Sequence, residues 1–223
     1  LYMGESTNIE RPGYTMSEAV VGETLERLVG ENSSRRIIIA TFASNVHRLQ
    51  QIVDIAVRHK RKVALNGRSM LNVVDAAQKI GELSIPDGVI VDISRTRNLR
   101  DDEVLIVCTG SQGEPMSALH RMANGENPAL SVGSNDTIII SASPIPGNEK
   151  DVYNVINNLY HLGAGVVYER LENIHVSGHA CREEHKLMHT LLKPKFFIPV
   201  HGEYRHLMKH SQLAQSLGMN ERN

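Results

Sequence analysis

Imidazole side chains crowd the last third of this sequence: of eleven histidines, eight fall between positions 161 and 210. Near neutral pH an imidazole either gives a ring nitrogen to a metal or carries a proton, so this crowding points to hydrolytic chemistry. Two of the eight stand out by their neighbours. His179 closes the segment His175-Val176-Ser177-Gly178-His179, where a strand-like stretch and a small, flexible turn would present it at a sheet edge. His201 directly follows the apolar run Phe196-Phe197-Ile198-Pro199-Val200 and precedes Gly202, the position of a residue displayed at a strand end. His185 and His189 lie four apart, as do His206 and His210, yet the metalloprotease pattern His-Glu-x-x-His is absent. A solvated helix face is expected for the first pair, and a cation near a helix C-terminus for the second. His47, His59, His120 and His161 read as surface or capping residues.

A second kind of chemistry is suggested by turns that run from a strand into a helix, where free backbone N–H groups can cradle a phosphate. Cys108-Thr109-Gly110-Ser111-Gln112-Gly113-Glu114-Pro115 is one, with Ser111 offering a hydroxyl and Pro115 near the first helical position. Phe42-Ala43-Ser44-Asn45 and Gly67-Arg68-Ser69 are others. Taken singly, each is explained as well by a tight-turn glycine and ordinary capping. Residues 141–148 hold two prolines and read as a stiff structural turn.

These groups need a scaffold, and the apolar pattern supplies one. Arg36-Ile37-Ile38-Ile39-Ala40-Thr41-Phe42 is a continuous β-branched run, the mark of a strand buried on both faces. Residues 45–58 follow with Val46, Leu49, Ile52, Val53 and Ala56 at helical spacing. Further strands are predicted at 62–65, 89–91, 104–108, 137–141, 165–168 and 196–200, and helices at 70–80, 116–123, 152–162, 183–192 and 204–217. Thr15-Met16-Ser17-Glu18 fits a capping box opening a helix that runs to about Gly30. Alternation at this spacing means an α/β fold with a largely parallel sheet covered by helices on both faces.

With 24 basic and 25 acidic residues, net charge alone draws no polyanion. No apolar stretch approaches the roughly 20 residues that cross a bilayer, and the first residues lack a secretory pattern; a cytoplasmic protein with no membrane association is expected. Two cysteines, Cys108 and Cys181, allow neither a disulfide framework nor a thiolate cage, so any metal would be held by nitrogen and oxygen.

Taken jointly, the motifs Gly4-Glu5-Ser6-Thr7-Asn8, Thr41-Phe42-Ala43-Ser44-Asn45-Val46-His47-Arg48, Gly67-Arg68-Ser69-Met70, Thr109-Gly110-Ser111-Gln112-Gly113-Glu114-Pro115-Met116, Ser143-Pro144-Ile145-Pro146-Gly147-Asn148, Ser177-Gly178-His179 and His201-Gly202-Glu203-Tyr204-Arg205 resemble the ribonuclease J family. That family forms part of the β-CASP branch of the metallo-β-lactamase superfamily. The resemblance covers nearly the whole chain in order. It implies a β-CASP domain over residues 1–173, its first residues shared with the lactamase domain, and a returning segment of the lactamase αββα fold over 174–223. It also implies a ribonuclease with two zinc ions that cuts RNA internally and degrades it 5′-to-3′ from a 5′-monophosphate, in bacterial RNA decay and maturation.

By the same resemblance, Glu5 is the motif A carboxylate, His179 the motif B histidine, and His201 the motif C histidine that binds zinc. A carboxylate beside an imidazole fixes its tautomer and raises its basicity, which suits His179 to protonate a leaving oxygen. Ser44, Asn45, Val46 and the stretch His175, Val176, Ser177, Gly178, His179 would hold the RNA backbone and 5′ phosphate, with Ser111 a weaker member of the set. The superfamily's His-x-His-x-Asp-His motif does not occur in these residues. The chain therefore reads as a fragment with one zinc ligand, inactive by itself, its partners being single-stranded RNA and either a second copy or a paralogous ribonuclease J subunit. Two other classes remain: a non-catalytic RNA-binding module or partner subunit, and a nucleotide- or sugar-phosphate-binding enzyme. Against the last, no Gly-x-Gly-x-x-Gly or Walker lysine loop is present.

Overall fold

The apolar runs become strands in the computed structural model, which describes residues 1–223. In chain order the strands are β1 (Tyr2–Glu5), β2 (Arg36–Ala40), β3 (Lys62–Asn66), β4 (Ile90–Val91), β5 (Val104–Cys108), β6 (Asp136–Ile140), β7 (Gly165–Tyr168) and β8 (Phe197–Val200). The helices are α1 (Glu18–Glu31), α2 (Val46–Arg58), α3 (Arg68–Lys79), α4 (Ala118–Ala123), α5 (Glu149–His161), α6 (Arg182–Leu192) and α7 (Tyr204–Ser216). The chain divides into a larger unit, Glu18–His175, and a smaller one made of Leu1–Ser17 with Val176–Asn223.

In the larger unit six strands form one parallel sheet in the order β4-β3-β5-β2-β6-β7. The three central strands carry the β-branched runs, which fill a surface buried on both faces. Ile38, Ala40, Ile106, Cys108, Ile138 and Ile140 point into a core closed by α4 and α5 through Leu119, Met122, Val152, Val155, Ile156 and Leu159. The alternate residues Ile37, Ile39, Leu105 and Val107 are equally buried, while α2 and α3 pack on β3 and on each other and α1 packs on α2. Because the strands are parallel, the turns after β2, β3, β5 and β6 leave from one edge, where open sheets of this kind place their ligands.

Two arginines are buried in this unit. The terminal nitrogens of Arg61 reach the backbone carbonyls of Asn32, Ser33, Arg35, Asp101 and Val104, and burial pulls its pKa down. Arg48 lies on the apolar stripe of α2, four residues before Ile52. It is paired through both Nε and Nη2 to the Glu18 carboxylate at 2.7 and 2.8 Å. Its Nη1 donates to the Ser141 carbonyl at 2.8 Å and lies 3.4 Å from His175 Nδ1. Glu18 and His175 are the first and last residues of the unit, so one guanidinium holds both of its ends.

That pairing overturns the expected capping box: Glu18 is taken by Arg48, and Thr15 instead donates its hydroxyl to Glu184 at 2.8 Å and to the His179 carbonyl at 2.9 Å. The helix predicted at 116–123 also begins later, because Met116 adopts φ 67° in a turn and Ser117 caps Ala118–Ala123 by accepting from the His120 N–H. Pro115 therefore stands outside the helix.

In the smaller unit β1 and β8 pair in parallel, Tyr2 opposite Phe197 through Glu5 opposite Val200. No helix is long and apolar enough to cross a membrane. Replacing Arg61 with alanine would strand several buried carbonyls at once and should lower unfolding free energy by about 2 kcal/mol or more; urea denaturation of the variant at pH 7.5 checks this, and an unchanged midpoint would remove Arg61 from the framework.

Candidate metal and acid–base site

The β1–β8 ladder ends with Glu5 beside Val200, so the next residue of the second strand, His201, falls next to the carboxylate. His201 turns sharply there, with φ 55°, a left-handed conformation uncommon for a residue with a side chain. Its carbonyl is held by the Ser6 N–H at 3.1 Å, which keeps the turn in place, and its imidazole is left exposed.

Glu5 is fixed by backbone. The Thr7 N–H donates to Oε2 at 2.8 Å and the Ala180 N–H to Oε1 at 3.0 Å. His179 Nδ1 lies 3.4 Å from Oε2. Burial pushes the Glu5 pKa up, but the Thr7 and Ala180 hydrogen bonds and the His179 ring together outweigh it and leave the carboxyl below its ordinary value. An ionised Glu5 beside an imidazole nitrogen is the arrangement that orients a proton donor. The His179 and His201 rings are 5.2 Å apart.

One nitrogen or oxygen of each of Glu5, His179 and His201 lies within 4.8 Å of the others. In tetrahedral zinc the ligand atoms stand roughly 3.3 Å apart, as bond lengths of about 2.0–2.2 Å require. The three donors are imidazole and carboxylate, of the kinds zinc takes, but both Glu5 oxygens are already held by the Thr7 and Ala180 N–H groups, so the set is looser than a zinc shell. Only His201 was expected as a ligand; the fold brings two further donors within reach of it.

The strand-like stretch expected before His179 is not a strand. Residues 171–180 are irregular, with one bridge between Asn8 and Cys181 next to them. The turn is instead tied by side chains: Asn8 Nδ2 donates to Ser177 Oγ at 2.9 Å and to the His179 carbonyl at 3.1 Å, and Ser177 Oγ accepts the His179 N–H at 3.2 Å.

His185, His189 and His210 reverse expectation, since all three are buried. On α6 it is Leu187, Met188, Leu191 and Leu192 that face solvent. His210 Nδ1 lies 3.0 Å from Ser6 Oγ, and the Nε2 atoms of His189 and His210 are 3.3 Å apart. Phe197 packs against both rings. Burial lowers the pKa of His185 and His189 and takes His210 to about 3, where the neighbouring imidazoles add to the effect. Spacing of four shows that two residues share a helix face; it does not show which face is buried.

The anion candidates fall on both units. Ser44, Asn45 and Val46 follow β2 in the larger unit, with Ser44 exposed and the Asn45 side chain accepting the Arg48 N–H as a helix cap. Ser111 follows β5, the strand paired with β2, and is 3% exposed. His175 ends the larger unit, where burial, and then Arg48, take its pKa down to about 4. Val176, Ser177, Gly178 and His179 begin the returning part of the smaller unit. The sequence assigned Glu18 to a capping box and gave Arg48 no role of its own, so their pairing was missed; the sign available was an arginine inside the apolar stripe of a helix.

A family model described as the ribonuclease J β-CASP domain matches residues 34–159, and one described as a Zn-dependent metallo-hydrolase RNA specificity domain matches residues 164–222. Proteins named ribonuclease J are similar throughout. That of Synechocystis sp. is 49% identical over 99% of this chain and 34% of its own length, that of Helicobacter pylori strain B128 46% over 100% and 32%, and that of Thermus thermophilus 45% over 97% and 38%. The chain thus spans about a third of the length of these relatives. A crystal structure of a protein of unknown function from Enterococcus faecalis V583 superposes with a TM-score of 0.59 at 16% identity, covering 93% of this chain and 46% of that one, a likeness of fold.

The buried imidazoles set a pH dependence. An unfolded chain protonates histidine near pH 6.5, whereas the folded chain resists protonation of His175 to about pH 4 and of His210 to about pH 3. Between these limits the unfolded state binds more protons, so stability rises with pH. It should be complete above about pH 6.5 and decline as the pH falls toward 4 and below; equal urea midpoints at pH 7.5 and pH 5 would show that these rings titrate as freely in the folded chain as in the unfolded one.

Proposed function

Since the chain belongs to the ribonuclease J family, we propose that it is the β-CASP domain, with a returning segment of the metallo-β-lactamase domain, of a zinc-dependent ribonuclease. The observation that carries this is the Glu5–His179 pair standing beside His201 in one small unit. Residues 1–173 correspond in this reading to the β-CASP domain with its shared first strand, and 174–223 to the returning segment. The whole enzyme hydrolyses phosphodiesters of single-stranded RNA, internally and 5′-to-3′ from a 5′-monophosphate, in bacterial RNA decay and maturation, and acts in the cytoplasm with a second copy or a paralogous subunit.

In that reaction Glu5 accepts from His179 Nδ1–H, and the ring acts in its doubly protonated form, giving its Nε2 proton to the oxygen that leaves phosphorus. His201 supplies a nitrogen to the metal. Zinc held there would supply a water of lowered pKa and positive charge for the phosphate oxygens. Ser44, Asn45 and Val46, with Ser111 and the stretch His175 to His179, hold the backbone and the 5′ phosphate. The sequence has no tryptophan and few aromatic residues, so phosphate contacts should outweigh base stacking.

Taken alone, this chain has at most three clustered donors and no His-x-His-x-Asp-His motif. It is expected to bind RNA without cutting it. Metal analysis and cleavage of a 5′-monophosphorylated RNA, run in parallel on this chain and on a longer protein that contains it, test the reading. Two zinc ions and cleavage in the longer protein, with neither in the chain, support it; cleavage by the chain alone would mean that its own histidines form a complete site. In the longer protein, His179→Ala should reduce turnover at least a hundredfold, the usual scale of a lost general acid of about 10²–10⁴, while RNA affinity stays within about threefold. Unchanged turnover in single-turnover kinetics would remove His179 from the chemistry.

A further inference from the structure

His201 is displayed on a turn with a left-handed φ, and backbone strain of that kind persists only where the surroundings hold it. One end of the turn is held from the residues after β1: the His201 carbonyl accepts from the Ser6 N–H at 3.1 Å and from the Thr7 hydroxyl at 3.4 Å. The other end is the Glu203 N–H, and a side chain holds it. His206 Nδ1 accepts that N–H at 3.1 Å. His206 stands in the first turn of α7, not near the C-terminal end where a cation was expected.

Between the two holds lies Gly202. A side chain at 202 would bring its Cβ to 2.9 Å from His206 Cβ and 3.2 Å from His206 Nδ1, and so would push the ring off its hydrogen bond. A peptide N–H only donates, so Nδ1 bears the lone pair and the proton of the neutral ring sits on Nε2. That nitrogen faces the Glu10 carboxylate at 3.6 Å, while Arg205 reaches both Glu10 and Glu203. Histidine suits this place better than the usual choice. The third helical position of a capping box commonly carries Glu or Gln, and a carboxylate here would face Glu10 and Glu203 with like charge. A neutral acceptor avoids that, and the imidazole, 13% exposed, has little room to turn.

We propose that His206 is a positioning residue for His201, acting through the Glu203 N–H to keep the turn over residues 201–203 in its strained form. Ser6 and His206 grip successive peptide units on either side of Gly202. Together they fix the direction in which the His201 side chain leaves the backbone, beside Glu5 and His179. The geometric part stands on this chain alone; the part in metal binding rests on the reading of His201 as a zinc ligand.

The test begins with the ¹⁵N-labelled chain itself, treated with a chelator. Long-range ¹H–¹⁵N correlation should find the His206 proton on Nε2, with a scalar coupling from Nδ1 across the hydrogen bond to the Glu203 nitrogen; a proton on Nδ1 overturns the proposal. The left-handed φ of His201 gives an intense cross-peak between its own N–H and Hα. That peak should weaken in His206→Ala and return in His206→Gln, whose amide oxygen is a neutral acceptor. An unchanged His201 in a folded His206→Ala overturns the proposal as well. Should His206→Ala fail to fold, the wild-type tautomer still decides. In the longer protein, His206→Ala should weaken zinc retention against a chelator by about tenfold, the scale of losing a group that orients a ligand, and His206→Gln should recover most of it; equal retention in all three refutes the role in metal binding. A longer wild-type protein that neither holds zinc nor cuts RNA would end the ribonuclease reading and leave the His201 cross-peak to judge the positioning role.

Discussion

Four residue pairs of a parallel ladder carry the site. Tyr2 to Glu5 run alongside Phe197 to Val200, and that pairing alone places a carboxylate from the start of the chain beside a histidine from its end. A parallel connection needs a long crossover, and here the whole larger unit lies within it. Hydrogen bonds within the ladder fix the register, and a slip of one residue would turn Glu5 to the other face. The strained turn at His201, the Ser6 N–H that holds its carbonyl and the Thr7 N–H on Glu5 all follow from where this short ladder stops.

The two units solve the problem of buried polar groups differently. In the larger one, arginines are surrounded by backbone carbonyls or matched to a carboxylate, so that charge is buried only with its partners. In the smaller one, neutral imidazoles serve in place of charges. His189 and His210 bond to a hydroxyl and to one another, and α6 turns its leucines outward to admit them. A core of neutral rings leaves Glu5 as the ionised group among them, which keeps its charge available to His179.

Much of the larger unit was legible because its signals are local. The isoleucine run of β2, the bounds of β7 and the amphipathic spacing of α2 need no knowledge of distant residues. β1 was not legible: Tyr2-Met3-Gly4-Glu5 is short, holds a glycine and takes its meaning from a partner at the far end of the chain. The capping box failed for a related reason, as Glu18 had a stronger partner in Arg48 than the backbone at Thr15. At the site, His179 and His201 stood out by their neighbours and Glu5 by motif resemblance, and the structure adds what these omit, namely the Thr7 and Ala180 N–H groups on the carboxylate. The burial of His185, His189 and His210 was misjudged because imidazole is polar enough to be assigned to solvent by default.

The clasp of Arg48 on Glu18 and His175 bears on how such a chain could have arisen. A segment whose two ends are pinned to the same guanidinium occupies little more room at its point of attachment than a surface loop does. The entropy of closing a loop grows only with the logarithm of its length, by about 0.6 kcal/mol for each doubling, so a host fold can accept an entire domain there at small thermodynamic cost. Held this way, a segment can change its own surface or lengthen its turns while its two ends stay together on one guanidinium.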